Sequence, residues 1–481
     1  MKKFKLIFAT LVAALFTFAG GKALAYDITI NNGGSGTYES YQIFTGTVLD
    51  NSDEAALGKV QWGNGITDAG KTALQTKYSA SSAAEIAEKL GDNAVAADEF
   101  AKEAGKYLQN AGGLTGLAAG YYLVQNKTVG DHEAYTNYIL KVVKNVTVEP
   151  KTDTPTVEKK VKDINDSEST TTTGWQDSAD YDINDDVPFQ LTATLPNNFA
   201  TYDEYYLEFA DTLSSGLTYN KDDAKVFLVN GSTETDVTSS FTIAEDGSSF
   251  KINNLKSIPG VTASSKIVVR YTAKLNSNAA IGSAGNPNTV KLIYSNNPNA
   301  TGTGETTPDT VVVFTYKVVV NKVDQDNKPL SGAGFTLYKK VHDTSKAEGY
   351  RWDAVGDEIT GGTTFTFSGI DDGDYKLVET TTPNGYNTID DVKFTVTADH
   401  DVTSDSPALN SLSGVDSAET GKITFTSNTS AGSLTAPVPN TKGSILPSTG
   451  GMGTKVLYAV GVVLILIAGV LIVTKKRMEV K

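Results

Sequence analysis

Cysteine is absent from the 481 residues, and histidine (His132, His342, His400), tryptophan and methionine occur only three times each. Without cysteine the chain has no disulfide, no thiolate nucleophile and no cysteine-bound zinc. Three scattered histidines offer little for a multi-histidine metal centre or a His-based triad. Basic residues are outnumbered too, 41 Lys and Arg against 56 Asp and Glu, for a formal net charge of -15. A chain of that sign repels a polyanion, which argues against nucleic acid as a partner. Apolar residues make up a modest 39 %, whereas glycine is plentiful at 44. With Thr, Asn, Asp and Tyr also abundant, this composition suits β-sandwiches joined by many turns. The length suggests roughly two to four domains.

The two ends speak to the compartment. Residues 1–25 have the layout of a secretory signal. Lys2, Lys3 and Lys5 are basic, residues 6–19 are apolar, and Ala23-Leu24-Ala25 supplies small residues for cleavage before Tyr26. Residues 456–474 form an uncharged apolar run of nineteen residues, long enough to span a bilayer. Lys475, Lys476 and Arg477 follow as a cytoplasmic stop. Just upstream stands Leu446-Pro447-Ser448-Thr449-Gly450. Pentapeptide, apolar span and basic tail, in that order, resemble the LPxTG-type sorting signal of Gram-positive wall proteins. The resemblance implies that a sortase cleaves between Thr449 and Gly450 and that the chain ends on peptidoglycan. Each removed end carries +4, so residues 26–449 would carry -23.

Between the ends we expect a 26–150 domain, a 151–315 domain and a 316–445 domain, followed by the 446–481 sorting segment. The fold class is mainly β, tandem immunoglobulin-like sandwiches with some helix inserted in the first. That helix spans roughly 67–108, where Ala83, Ala84, Ile86, Ala87 and Leu90 recur at helical spacing. Alternating stretches at 187–195, 205–209, 266–275 and 289–294 predict strands in the middle domain. The two-proline stretch 150–155 marks the first boundary.

In the third domain, Lys322-Val323-Asp324, the run 330–338 and Gly373-Asp374-Tyr375-Lys376-Leu377-Val378-Glu379-Thr380-Thr381-Thr382-Pro383 resemble the Cna B-type domain of Gram-positive adhesins and pilins. The second stretch is similar to the pilin "E-box". The resemblance implies an isopeptide bond from Lys322 to Asn440, promoted by the acid Glu379. Burial makes such chemistry reasonable, because it favours the neutral form of both an amine and a carboxyl. In the middle domain, 155–161 resembles the pilin first strand with Lys159 at the bonding position. The run 288–298 resembles the closing strand, with Asn288 as partner and Asp211 as the acid. Glu208 is the reserve acid, and Lys160 and Asn296 compete as partners, since a one-residue register error reverses the face. Each bond would join the first and last strands of its domain.

Lys151 follows Val146-Thr147-Val148-Glu149-Pro150. That segment resembles the pilin motif whose lysine attacks the sortase acyl-enzyme, usually Tyr-Pro-Lys-Asn, with Glu149 and Thr152 as departures. Lys141 and Lys144 are fallback nucleophiles. Two acidic stretches carry less. Asp324, Asp326 and Asn327 begin like a calcium loop but lack its glycine and closing acid, so a turn is expected. Asp182, Asp185 and Asp186 could bind a cation, but a solvated acidic loop is the better reading. As a whole the chain resembles the major (backbone) pilins of sortase-assembled Gram-positive pili. What this implies is a structural shaft subunit, not an enzyme, without cofactor or metal. Its partners would be copies of itself, pilus-specific and housekeeping sortases, minor tip and basal pilins, and peptidoglycan. The alternative is an unpolymerised wall-anchored adhesin that binds host or matrix ligands.

Overall fold

The computed structural model describes residues 25–31, 36–49, 56–91, 94–130, 132–149, 153–298, 300–416, 423–443 and 452–478. The signal-like residues 1–24, Lys151 and the pentapeptide 446–450 lie outside them. The first unit is an antiparallel sheet of Leu57–Trp62, Tyr38–Val48, Gly120–Asn126 and Asn137–Val142. Helices Asp68–Tyr78, Ala83–Leu90 and Ala94–Ala104 cover its face. The expected helical stretch is therefore three helices. Ser79 takes a left-handed conformation (φ 47°) that ends the first, and Ser82 caps the second by accepting the Glu85 N–H at 3.2 Å. Leu74, Ile86, Leu90 and Phe100 pack on Ile43, Phe44 and Leu123. Strand Ile28–Ile30 lies parallel to Val146–Val148, so the unit's two ends meet.

The middle unit is a sandwich. One sheet holds Leu207–Leu213, Asn286–Ser295 and Asp309–Phe314 among seven strands; the other holds Lys266–Leu275, Asp186–Thr194 and Val157–Val161. Alternation aims one side of each strand inward: Val187, Phe189, Leu191 and Ala193 are all fully buried. The expectation that Asn288 lies on the last strand is not met. Asp309–Phe314 follows it and pairs along its far edge. In the third unit Tyr316–Asp324 and Ser433–Asn440 are parallel neighbours in one sheet, while Gly334–His342 and Gly373–Thr381 lie in the facing sheet.

Middle and third units meet directly. Only buried Thr315 separates Asp309–Phe314 from Tyr316–Asp324. Gly282 and Gly432, both at positive φ, touch so closely that a Cβ on Gly282 would fall 2.4 Å from the Gly432 nitrogen. Here the acidic stretch departs from expectation. Asp186 alone is exposed, paired with Lys274 at 2.9 Å. Asp182 accepts the Asp371 N–H (3.0 Å), and the third unit's buried Lys339 reaches Asp182 (2.6 Å), Asp371 (2.6 Å) and Asp166 (3.1 Å). The loop is pinned under another domain rather than solvated. Burial, then the charge of Asp182, raises the pKa of Asp371 well above the carboxylate range, and burial pushes Asp185 up to about 7.

This joint predicts the behaviour of Lys339→Ala. Removing the counter-charge from buried carboxylates should cost about 3–5 kcal/mol near neutral pH. Acids whose folded pKa is raised bind more protons folded than unfolded, so the variant should recover stability as pH falls and lose it as pH rises. Thermal unfolding of the ectodomain at about pH 8 and about pH 5 checks the sign.

Candidate functional site

Two lysines lie in the apolar interiors beside one acid and one amide each. Lys159 is fully buried by alternation on Val157–Val161. Its Nζ donates to Asp211 Oδ1, to Asn288 Oδ1 at 2.6 Å and to the Tyr271 hydroxyl at 3.2 Å. Asp211 and Asn288 come from neighbouring strands of the opposite sheet. The Tyr271 hydroxyl donates to Asp211 Oδ2 at 2.5 Å and accepts from Asn288 Nδ2 at 2.8 Å. Tyr271 is stacked against Phe189 and Phe250, with ring centroids 5.5 and 5.6 Å away. Burial drives the Lys159 pKa down to about 8, against the pull of Asp211.

Lys322 repeats the arrangement within one sheet. Its Nζ donates to Asn440 Oδ1 and to Val438 O (2.9 Å), and lies 3.6 Å from Glu379 Oε1 on the facing sheet. Asn440 Nδ2 donates to both Glu379 oxygens, at 3.0 and 3.1 Å, and to Asn387 O at 3.0 Å. The Ile389 N–H holds Glu379 Oε2 at 3.0 Å. Burial lowers the Lys322 pKa to about 8 as well.

Lys339 is the contrast. Burial works against its charge, but Asp371, Asp182 and Asp166 outweigh it and hold the pKa above the ordinary lysine value. It is an ammonium in an ion-pair cluster, not a nucleophile. The alternatives weighed for the middle unit fall elsewhere. Lys160 points to the other face and pairs with Asp177 at 2.5 Å. Glu208 accepts from Tyr206 and Ser249, each at 2.5 Å, and Asn296 is not in the cluster. Tyr271 was not among the residues singled out. Its signal was available, because it shares the inward face of Lys266–Leu275 with Ile267, Val269 and Ala273.

Lys151 and Thr449 lie outside the described residues. Of the fallback lysines, Lys141 is half-buried and Lys144 exposed. Residues 456–474 fall within helix Met452–Met478, where Val456–Lys476 is long and apolar enough to cross a membrane (mean hydropathy 3.1). Asp324 makes a turn, its Oδ1 accepting the N–H groups of Asp326 and Lys328 at 2.9 and 3.0 Å. Gly65-Ile66-Thr67-Asp68-Ala69-Gly70-Lys71-Thr72 spells a phosphate loop. Three of its donors are used within the fold: the N–H of Gly65 on Gln42 O, that of Thr67 on Tyr107 O, and Lys71 Nζ on Asp68 at 2.7 Å.

Residues 183–298 match the model of the Gram-positive pilin backbone subunit 2, Cna-B-like domain, and residues 316–408 that of the SpaA prealbumin-like fold domain. The trypsin-resistant surface T6 protein of Streptococcus pyogenes is 26 % identical over 417 residues, covering 72 % of each chain. Among solved structures, the three-domain T6 backbone pilin of that species shares the fold, with a TM-score of 0.54 at 19 % identity over 89 % of this chain and all of the other. The major pilin SpaD of Corynebacterium diphtheriae also matches, at a TM-score of 0.44 and 16 % identity, over 88 % of this chain and 98 % of its own. Residues 183–298 thus match a Gram-positive pilin backbone domain and residues 316–408 a prealbumin-like one, in a chain that is similar to the T6 surface protein and shares the fold of the T6 backbone pilin.

Proposed function

We propose that this chain is the shaft subunit of a covalently polymerised cell-surface pilus, with Lys159–Asn288 and Lys322–Asn440 isopeptide bonds inside its domains. The observation that carries the internal bonds is the pair of buried lysines, each against an asparagine amide and a single acid, with pKa values lowered to about 8. A neutral amine attacks the asparagine Cγ, a new C–N bond forms, and the old one breaks to release ammonia. One net proton moves from the lysine nitrogen to the departing nitrogen, with Asp211 or Glu379 beside it. The reaction runs once per site, so the chain is not an enzyme in the turnover sense. The bonds would close loops of 129 and 118 residues. By analogy with a disulfide, each restrains the unfolded chain by about 4–5 kcal/mol.

Between subunits, a sortase cuts Thr449 from Gly450 and passes the Thr449 acyl group to Lys151 of the next copy; a housekeeping sortase places the finished fibre on peptidoglycan. Sequence layout, kinship with backbone pilins and the apolar C-terminal helix support this reading.

Intact mass of the purified ectodomain should fall short of the sequence mass by two molecules of ammonia. Lys159→Ala or Lys322→Ala should each restore one, and an unmodified mass would sink the internal bonds. In Glu379→Gln, which removes the charge that helps Lys322 keep its proton, residual bond formation should rise with pH and level off below the value of about 8 that holds with Glu379 present. A denaturing immunoblot of cell-wall extract should show a high-molecular-weight ladder that collapses to monomer in Lys151→Ala. A ladder that survives moves the acceptor to Lys141 or Lys144, and no ladder in either strain leaves a single-copy adhesin.

A further inference from the structure

We infer that the Tyr271 hydroxyl is a catalytic proton relay for the middle-domain bond, carrying a proton from Asp211 to the departing nitrogen of Asn288. The inference rests on the reading that Lys159 and Asn288 become bonded, and it arises from a difference between the two clusters. In the third domain the leaving nitrogen, Asn440 Nδ2, donates straight to both Glu379 oxygens. In the middle domain Asn288 Nδ2 donates instead to the Tyr271 oxygen (2.8 Å), and it is Tyr271 that touches Asp211 Oδ2 (2.5 Å). Asp211 Oδ1 is occupied by Lys159 Nζ. One carboxyl therefore faces the nucleophile with one oxygen and the tyrosine with the other, and the tyrosine alone connects it to the leaving group.

The atoms balance without another reactant. With Lys159 neutral, its proton resting on Asp211 Oδ2 and the Tyr271 hydroxyl turned from Oδ2 toward Nδ2, Nζ adds to Asn288 Cγ and the amide oxygen takes the negative charge. The surplus proton on Nζ passes to Asp211 Oδ1. Oδ2 gives its proton to the Tyr271 oxygen, and Tyr271 gives its own hydroxyl proton to Nδ2. The carbonyl re-forms, the Cγ–Nδ2 bond breaks, and ammonia leaves. Asp211 and Tyr271 end in the protonation states in which they began. Burial is the largest cause that holds the Tyr271 pKa well above the ordinary phenol value, so the ring carries the proton by exchange rather than by resting as a phenolate. Tyr271 is buried, and its flanking rings hold the hydroxyl in line.

Tyr271→Phe keeps the ring and removes the relay. Followed by intact mass in the full ectodomain, it should lose the third domain's ammonia on schedule and the middle domain's about a hundredfold more slowly, or not at all. Leu191→Val, which trims the core beside Lys159 in register and leaves every polar group in place, should lose both at the wild-type rate. Circular dichroism reports whether each variant is folded. Should the phenylalanine chain fail to fold, a fluorinated tyrosine at 271 keeps the shape, makes the phenol more acidic and should change the rate of the second loss only. Two ammonia losses at the wild-type rate in Tyr271→Phe, an unchanged rate with fluorotyrosine, or an equal slowing in Leu191→Val would each overturn the relay. A wild-type chain that loses no ammonia would instead overturn the bond itself, and the two failures are distinct.

Discussion

A lysine amine held inside a dry β-sandwich is the constraint around which the middle and third units are organised. An ammonium in such a place is unfavourable unless paired, and removing its proton or turning it into an amide relieves the penalty. Lys159 is surrounded by the Phe189 and Tyr271 rings, and Lys322 lies beside Phe335. The same apolar walls that stabilise the fold therefore prepare the amine for attack. Folding has to come first, since the environment that lowers the pKa does not exist in the unfolded chain.

The number of carboxylates around each buried lysine separates chemistry from plain ion pairing. The amines of Lys159 and Lys322 each lie beside one acid and one amide, Asp309 adding only the last and smallest pull on Lys159, and burial dominates. Lys339 meets three acids at 2.6 to 3.1 Å, and their charge dominates. The outcome is a charged clamp between two domains. Identical side chains with nearly identical burial thus serve opposite ends, one within domains and one between them.

The two bonding clusters also differ in how they would carry force. Lys322 and Asn440 lie on adjacent parallel strands, where the chain enters and leaves the third unit, so a bond there would route tension past the sandwich. Lys159 and Asn288 lie on opposite sheets, and Asp309–Phe314 continues beyond Asn288 into the third unit. A bond there would clasp one sheet to the other, while the parallel pairing of Ser178–Asp180 with that last strand and the Lys339 clamp secure the exit. In a chain without cysteine, such links would stand where secreted proteins commonly have disulfides.

Alternation along 187–195 and 266–275 was legible in the sequence because a strand's inward face repeats every second residue. Lys159, Asp211, Asn288, Lys322, Glu379 and Asn440 were legible through motif resemblance, and the apolar run 456–474 through its length. Local pattern could not reveal what depends on two distant segments facing each other. Tyr271 looks like any inward aromatic until the sheets close and place its hydroxyl between Asp211 and Asn288. Asp182 and Asp185 read as solvated because nothing nearby in sequence covers them; Lys339 and Asp371, over 150 residues away, do. The single helical stretch became three because Ser79 and Gly91 take positive φ and end the first and second helices. Sequence alone determined which residues are inward and which chemical groups are available. Only the tertiary structure decided which of them share a low-dielectric pocket, and so which lysine is poised to react and which is held as a charge.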